Sequence, residues 1–112
     1  MKQIIAYIKP VVLERVTEAL RHTEGLTGMS VMENSGFGRG NGTGSQGDDS
    51  QTSYFIRNMR LEVMVSDAIV WDVVDAIRRQ AWTGEHGEGK IYVLDVVEAV
   101  RIRTNERGGA AV

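Results

Sequence analysis

The sequence predicts an α+β fold: two strand–helix–strand halves making a four-stranded antiparallel sheet with both helices on one face. Three observations carry this. Short apolar runs of strand character alternate with segments whose apolar residues fall at helical spacing. The second half repeats the first at one offset: Ile69, Val73, Ala76 and Ile77 each lie 57 residues after Val12, Val16, Ala19 and Leu20, and Arg78 follows Arg21 likewise. A glycine-rich stretch with almost nothing apolar separates the halves. A duplicated βαβ unit in this order is the ferredoxin-like arrangement.

Each element has its own reason. Residues 3–9, QIIAYIK, form an apolar run that Pro10 ends, because proline cannot continue a central ladder. In the following VLERVTEALRHTEG the apolar residues keep helical spacing, and Gly25 supplies a C-terminal stop. Residues 28–34, GMSVMEN, read as the second strand. Between Gly36 and Gly47 lie six of the thirteen glycines. Ordering such a segment costs much backbone entropy with little apolar surface to bury in exchange, so residues 39–53 are expected to form a long mobile loop. MRLEVMV (59–65) alternates as a strand, Ser66 and Asp67 suit a helix cap, and AIVWDVVDAIRRQAW follows as a helix. KIYVLDVVEAVRI (90–102) closes the second half, and the tail TNERGGAAV reads as frayed.

The composition excludes several classes. At 112 residues, 42% hydrophobic and 25% charged, the chain fits one globular domain spanning 1–112. A net charge of −2 argues against a strongly basic nucleic-acid binder. With no cysteine, disulfide scaffolds, thiolate zinc sites and cysteine nucleophiles are excluded. No apolar run approaches the roughly 20 residues that span a bilayer, and Lys9 interrupts the N-terminal run too early for a signal peptide. The expectation is a soluble, cytoplasmic protein without membrane insertion. Ile5 and Tyr7 alternate with Ile4, Ala6 and Ile8, and Leu94, Val96 and Val97 leave little polar surface on their strand. Strands apolar on both faces predict that the open sheet face packs on another subunit, as a homo-oligomer.

The residues that could carry chemistry are cationic and glycine-rich. TGEHGEGKIYV, Thr83 to Val93, holds Gly84, Gly87 and Gly89 followed by Lys90. Successive N–H groups in such a turn can cradle an anion, and the ammonium adds a point charge, which suits a polyphosphate. It is not a Walker loop, because Ile91 stands where the magnesium-binding Ser or Thr would be. Arg101 and Arg103 alternate in RIR and, read as a strand, point to one side, unpaired by neighbouring acids, where they would suit phosphate oxygens. Arg39, in GFGR at the base of the loop, is a third cation, with Phe37 as the anchor of that base. His22 and His86 have no metal-ligand spacing, so no metal site is assigned. Asp48 and Asp49 are acidic loop surface. Trp71 and Trp82 are expected at helix edges or a subunit contact, and Met29, Met32, Met59 and Met64 in core or cleft.

Taken together, IKP after the first strand, GFGR, TGEHGEGKIYV and the closing VRIRTNERG resemble the PII family of signal-transduction proteins across nearly the whole chain. The resemblance implies a homotrimer of ferredoxin-like subunits binding ATP or ADP between neighbours. It names 39–53 the T-loop, 83–90 the B-loop and 101–108 the C-loop. It places Gly87, Glu88, Gly89 and Lys90 on the phosphates together with Arg101 and Arg103. The loop base Gly36, Phe37, Gly38 and Arg39 reaches the same nucleotide, and Ser30, Glu62 and Met64 line adenine and ribose. The T-loop, here including Gly40, Asp48 and Asp49 and ending near Tyr54, would dock on a membrane transporter or metabolic enzyme.

The departures from the family pattern are specific. Gly40 stands where a glutamine helps to hold magnesium and 2-oxoglutarate. Asn58 replaces a lysine that pairs with the 2-oxoglutarate carboxylate, with Arg57 or Arg60 as misplaced substitutes. The modified tyrosine of the usual T-loop has no counterpart. The expectation is a PII-like sensor of ATP or ADP, with AMP and magnesium left open, whose 2-oxoglutarate site is lost or given to another small ligand. Its rivals are a conventional PII protein answering to ATP and 2-oxoglutarate, or a weak ATPase. Against an enzyme, no general base is well placed, and Glu85 or Glu88 beside phosphates would repel them. An RNA-recognition module would need more strand aromatics than Tyr92.

Overall fold

The structure, a computed structural model, describes residues 1–37 and 55–112. Gly38, Arg39, Gly40, Asp48, Asp49 and Tyr54, and with them the expected T-loop over 39–53, lie outside the described residues. The elements are β1 (Lys2–Ile8), α1 (Leu13–Arg21), β2 (Ser30–Gly36), β3 (Ile56–Val65), α2 (Val70–Ala81) and β4 (Gly89–Asp95). One four-stranded sheet has the order β2-β3-β1-β4 with every neighbour antiparallel, which is the ferredoxin-like topology. Among the described residues no helix is long and apolar enough to cross a membrane.

Period-two patterning divides the sheet into two faces. Ile4, Ala6 and Ile8 of β1 and Leu61, Val63 and Val65 of β3 are buried against Val16 and Leu20 of α1 and Val73 and Ile77 of α2. Burying each of the Val, Leu and Ile side chains contributes about 1.5–3 kcal/mol, so this layer holds the domain together. Arg15 of α1 donates to the carbonyl of Gln80 at 2.8 Å, tying α1 to the last turn of α2 and fixing where the chain leaves that helix.

Several boundaries differ from the sequence reading. The second strand lies at 30–36 rather than 28–34, and the third begins at Ile56 rather than Met59. The cause is the β2–β3 ladder, which continues out to Gly36↔Ile56 at the base of the long connection. Ser66 and Asp67 do not cap α2 with their side chains; Ile69 occupies the cap position. Asp67 instead accepts from the Met1 ammonium at 2.8 Å, and Lys2 bonds Asp95 on the other side.

The strand expected over 90–102 stops at Asp95. Its partner β1 starts at Lys2, and the bond from Val96 N–H to Met1 carbonyl is the last rung that strand can offer. The tail is not frayed. Residues 98–112 close on themselves through the Val100↔Arg107 bridge, Gly108 N–H to the Ala99 carbonyl at 2.9 Å, and Glu98 accepting from Gly108 N–H.

Candidate functional site

The B-loop is the connection from α2 to β4, and three glycines set its path with positive φ: 85° at Gly84, 78° at Gly87 and 104° at Gly89. Gly89 admits no side chain, since a Cβ there would sit 1.6 Å from the Tyr7 carbonyl oxygen. The first half of the loop is held from within. The Glu88 carboxylate accepts from the Thr83 N–H, the Thr83 hydroxyl and, at 3.3 Å, the Gly84 N–H. These hydrogen bonds, that from the Thr83 hydroxyl above all, hold its pKa below the usual glutamate value despite partial desolvation. Lys9 reaches across from the end of β1 to the Thr83 hydroxyl at 3.4 Å and the Glu85 carboxylate at 3.6 Å.

The second half of the loop is different. Among the described residues the N–H groups of His86, Gly87 and Glu88 make no hydrogen bond, and Lys90, exposed on the open sheet face beside Tyr7, makes no ion pair. Three successive free amides followed by an ammonium are the elements of an anion cradle. Next to them lies a cleft of about 400 Å³, lined by Lys9 and Pro10 of the β1 exit, Ile56, Arg57 and Asn58 of β3, and His86, Gly87 and Gly89.

Ser30, Glu62 and Met64 share the open face: Ser30 lies opposite Glu62 on β3, and Met64 one rung further. Lys90 stands on that face on β4, with β3 and β1 between it and Ser30's strand and one rung off Ser30's row. Glu62, however, is bonded to Arg60 at 2.6 Å, and Arg60 also donates to the Tyr7 hydroxyl at 3.0 Å while stacking over its ring. Tyr92, Leu94, Met64 and Met32 leave large exposed apolar surface on this face, with Tyr92 edge-on to Tyr7. Met59 alone of the strand methionines is fully in the core, whereas Met29 packs against its edge. Trp71 and Trp82 are exposed at the two ends of α2. Gly36 closes the β2–β3 ladder opposite Ile56, and Phe37 is exposed beyond it.

The reading of Arg101 and Arg103 as alternating strand residues without acidic neighbours is corrected. They flank Ile102 in the turn of the C-terminal hairpin, where the ladder has already ended. Arg101 pairs with Glu106 at 3.3 Å and donates to the Ala110 carbonyl, while Arg103 is exposed with no ion pair among the described residues. Ile102 is 99% exposed, so the tip projects away from the domain. β4 runs from the B-loop toward this hairpin, and its six steps at about 3.3 Å separate Gly89 from Asp95 by roughly 20 Å. The B-loop and the arginine turn thus sit beyond opposite ends of one strand.

Both substitutes considered for the missing lysine are committed elsewhere. Arg57 bonds Glu33 at 2.6 Å and Arg60 bonds Glu62, while the Asn58 side-chain Oδ1 accepts from the Asn34 side-chain amide at 2.9 Å. Sequence reasoning missed the roles of Lys9, Thr83, Tyr7 and Asn34. Lys9 stood inside the recognised IKP, but nothing in its neighbourhood pointed to a loop more than seventy residues away.

Comparison with known proteins defines the class first. The family model "Nitrogen regulatory protein P-II" matches residues 1–106. A crystal structure of Arabidopsis thaliana PII bound to citrate superposes with a TM-score of 0.79 at 32% identity, covering 99% of this chain and 91% of that one. This is therefore a P-II family chain. Among its relatives, the nitrogen regulatory protein P-II of Rhodospirillum rubrum is 44% identical over 113 residues, and that of Klebsiella oxytoca 45% over 114, as is P-II 1 of Escherichia coli K12. In each case all of both chains is covered.

Proposed function

We propose that this chain is a homotrimeric regulatory protein that binds ATP or ADP in clefts between subunits and controls a transporter or metabolic enzyme through its T-loop. The separation of the two phosphate-gripping elements carries the reading. The free amides and Lys90 lie beyond one end of β4 and the arginine turn beyond the other, so a single chain offers each only half of a phosphate site. A second copy packed on the apolar open face supplies the missing half. Gripping phosphate between copies also explains why Ile102 and Arg103 are exposed at the tip of the turn, Arg103 without an ion pair among the described residues. The cleft would then hold Gly87, Gly89 and Lys90 from one subunit and Arg103 from its neighbour, with Ser30, Glu62 and Met64 toward the base. Arg101, already held by Glu106, would serve chiefly to shape the turn. The role is regulatory rather than catalytic.

The second-ligand site differs from the family pattern in the way Gly40 and Asn58 suggest. The cation that would meet a 2-oxoglutarate carboxylate is absent at Asn58, and the arginines on either side are paired with Glu33 and Glu62. Calorimetric titration with ATP, ADP and AMP, each with and without magnesium, 2-oxoglutarate and bicarbonate, tests both parts. Saturable ATP or ADP binding, unchanged by 2-oxoglutarate, is expected. Magnesium-dependent synergy between ATP and 2-oxoglutarate would restore the conventional PII reading, and no nucleotide binding at all would refute the site.

A further inference from the structure

We infer that the Glu88 carboxylate is a positioning group that divides the B-loop into a satisfied half and an anion-receptive half, and so tunes this site toward phosphate although the side chain itself does not touch the anion. The inference rests on the nucleotide reading above. The family resemblance puts Glu88 among the residues contacting the nucleotide, where a carboxylate would repel phosphate. The structure turns the carboxylate inward. It takes the N–H groups of Thr83 and Gly84 and the Thr83 hydroxyl, and the Thr83 hydroxyl in turn accepts from Glu85 N–H at 3.3 Å. Every amide from 83 to 85 is thereby spent inside the loop, while those of 86 to 88 have no partner among the described residues.

The consequence is electrostatic as well as geometric. A carboxylate bound by two amides, with the Lys9 ammonium on the same hydroxyl, has its charge turned away from the cleft. Released into the turn, the same charge would stand among the amides that a phosphate needs. Closure of the first half also fixes the direction in which the next amides point, because Gly84 and Gly87 are free to adopt other dihedrals once nothing ties Thr83 to Glu88. Trp82 lies against Gly84, its ring 3.4 Å from where a Cβ would be, so its indole reports the state of the clamp.

The experiment compares full-length wild type, E88Q and E88A in a W71F background, so that Trp82 is the one fluorophore of its kind. ATP and adenosine are titrated by calorimetry, and Trp82 emission is recorded. A carboxylate hydrogen bonded to amides makes charge-assisted bonds, so E88A is expected to weaken ATP by about tenfold or more. Adenosine, having no phosphate, is expected to bind all three equally. E88Q, which keeps an acceptor oxygen without the charge, falls between, and Trp82 emission shifts in E88A before ligand is added. Equal ATP affinity in all three proteins would overturn the inference, and so would an equal loss for ATP and adenosine, which marks general damage. If wild type binds no ATP, the nucleotide reading itself has failed. In that case an unshifted Trp82 emission in E88A would remove the clamp as well.

Discussion

Replacing Gly89 with alanine tests the packing of the B-loop against β1 at its tightest point. An alanine at φ 104° costs about 1–2 kcal/mol in backbone strain alone. Its Cβ would stand 1.6 Å from the Tyr7 carbonyl oxygen, where real Cβ atoms essentially never come under 3.0 Å, so β4 must move away by the difference, at least 1.4 Å. That displacement falls at the last rung of the β1–β4 ladder, Ile8↔Gly89, and sacrifices one or two backbone hydrogen bonds at about 0.5–1.5 kcal/mol each. Together G89A should lose about 2–4 kcal/mol, a large share of a typical domain's stability of about 5–15 kcal/mol. Urea unfolding followed by circular dichroism, at one fixed protomer concentration, measures this. With a slope near 2 kcal/mol/M the midpoint falls by about 1–2 M. G109A is the control, because a Cβ at Gly109 meets nothing within 4 Å. A G89A midpoint equal to that of G109A would refute the reasoning.

Three further outcomes are expected. I77A removes a fully buried side chain from the α2–sheet layer and should cost about 2–5 kcal/mol in the same urea experiment. Asp67 is held below the usual carboxylate range, first by its hydrogen bond from the Met1 ammonium and then by Lys2. A depressed folded-state value gives stability that is present above the unfolded value of 3.8 and lost as pH falls through the folded one, so melting temperatures followed from pH 7 to pH 3 should fall less steeply in D67N than in wild type. L94D puts a charge among the exposed apolar residues of edge strand β4 on the open face and should shift the sedimentation coefficient from trimer toward monomer while leaving the far-ultraviolet circular dichroism intact; a persistent trimer would place the interface elsewhere.

The order and type of the elements were legible in the sequence because they follow from side-chain periodicity, which is a property of neighbouring residues. Ile4, Ala6 and Ile8 alternate whether or not a partner strand exists, and the 57-residue echo between the helices is present in the unfolded chain. The glycines of the B-loop were equally plain, since positive φ is a local demand. Tertiary structure alone decided what depends on distant partners. The last strand ends at Asp95 because β1 begins at Lys2, ninety-three positions earlier in the chain. Arg101 is spent on Glu106 because the chain turns back there instead of continuing a ladder. Glu88 could be read as a charge beside phosphate, but whether it faces the cleft or the loop depends on amides that only the folded turn presents to it. Hydrogen bonds between residues far apart in sequence carry no periodic signature, and they are what separate a list of cations from a site.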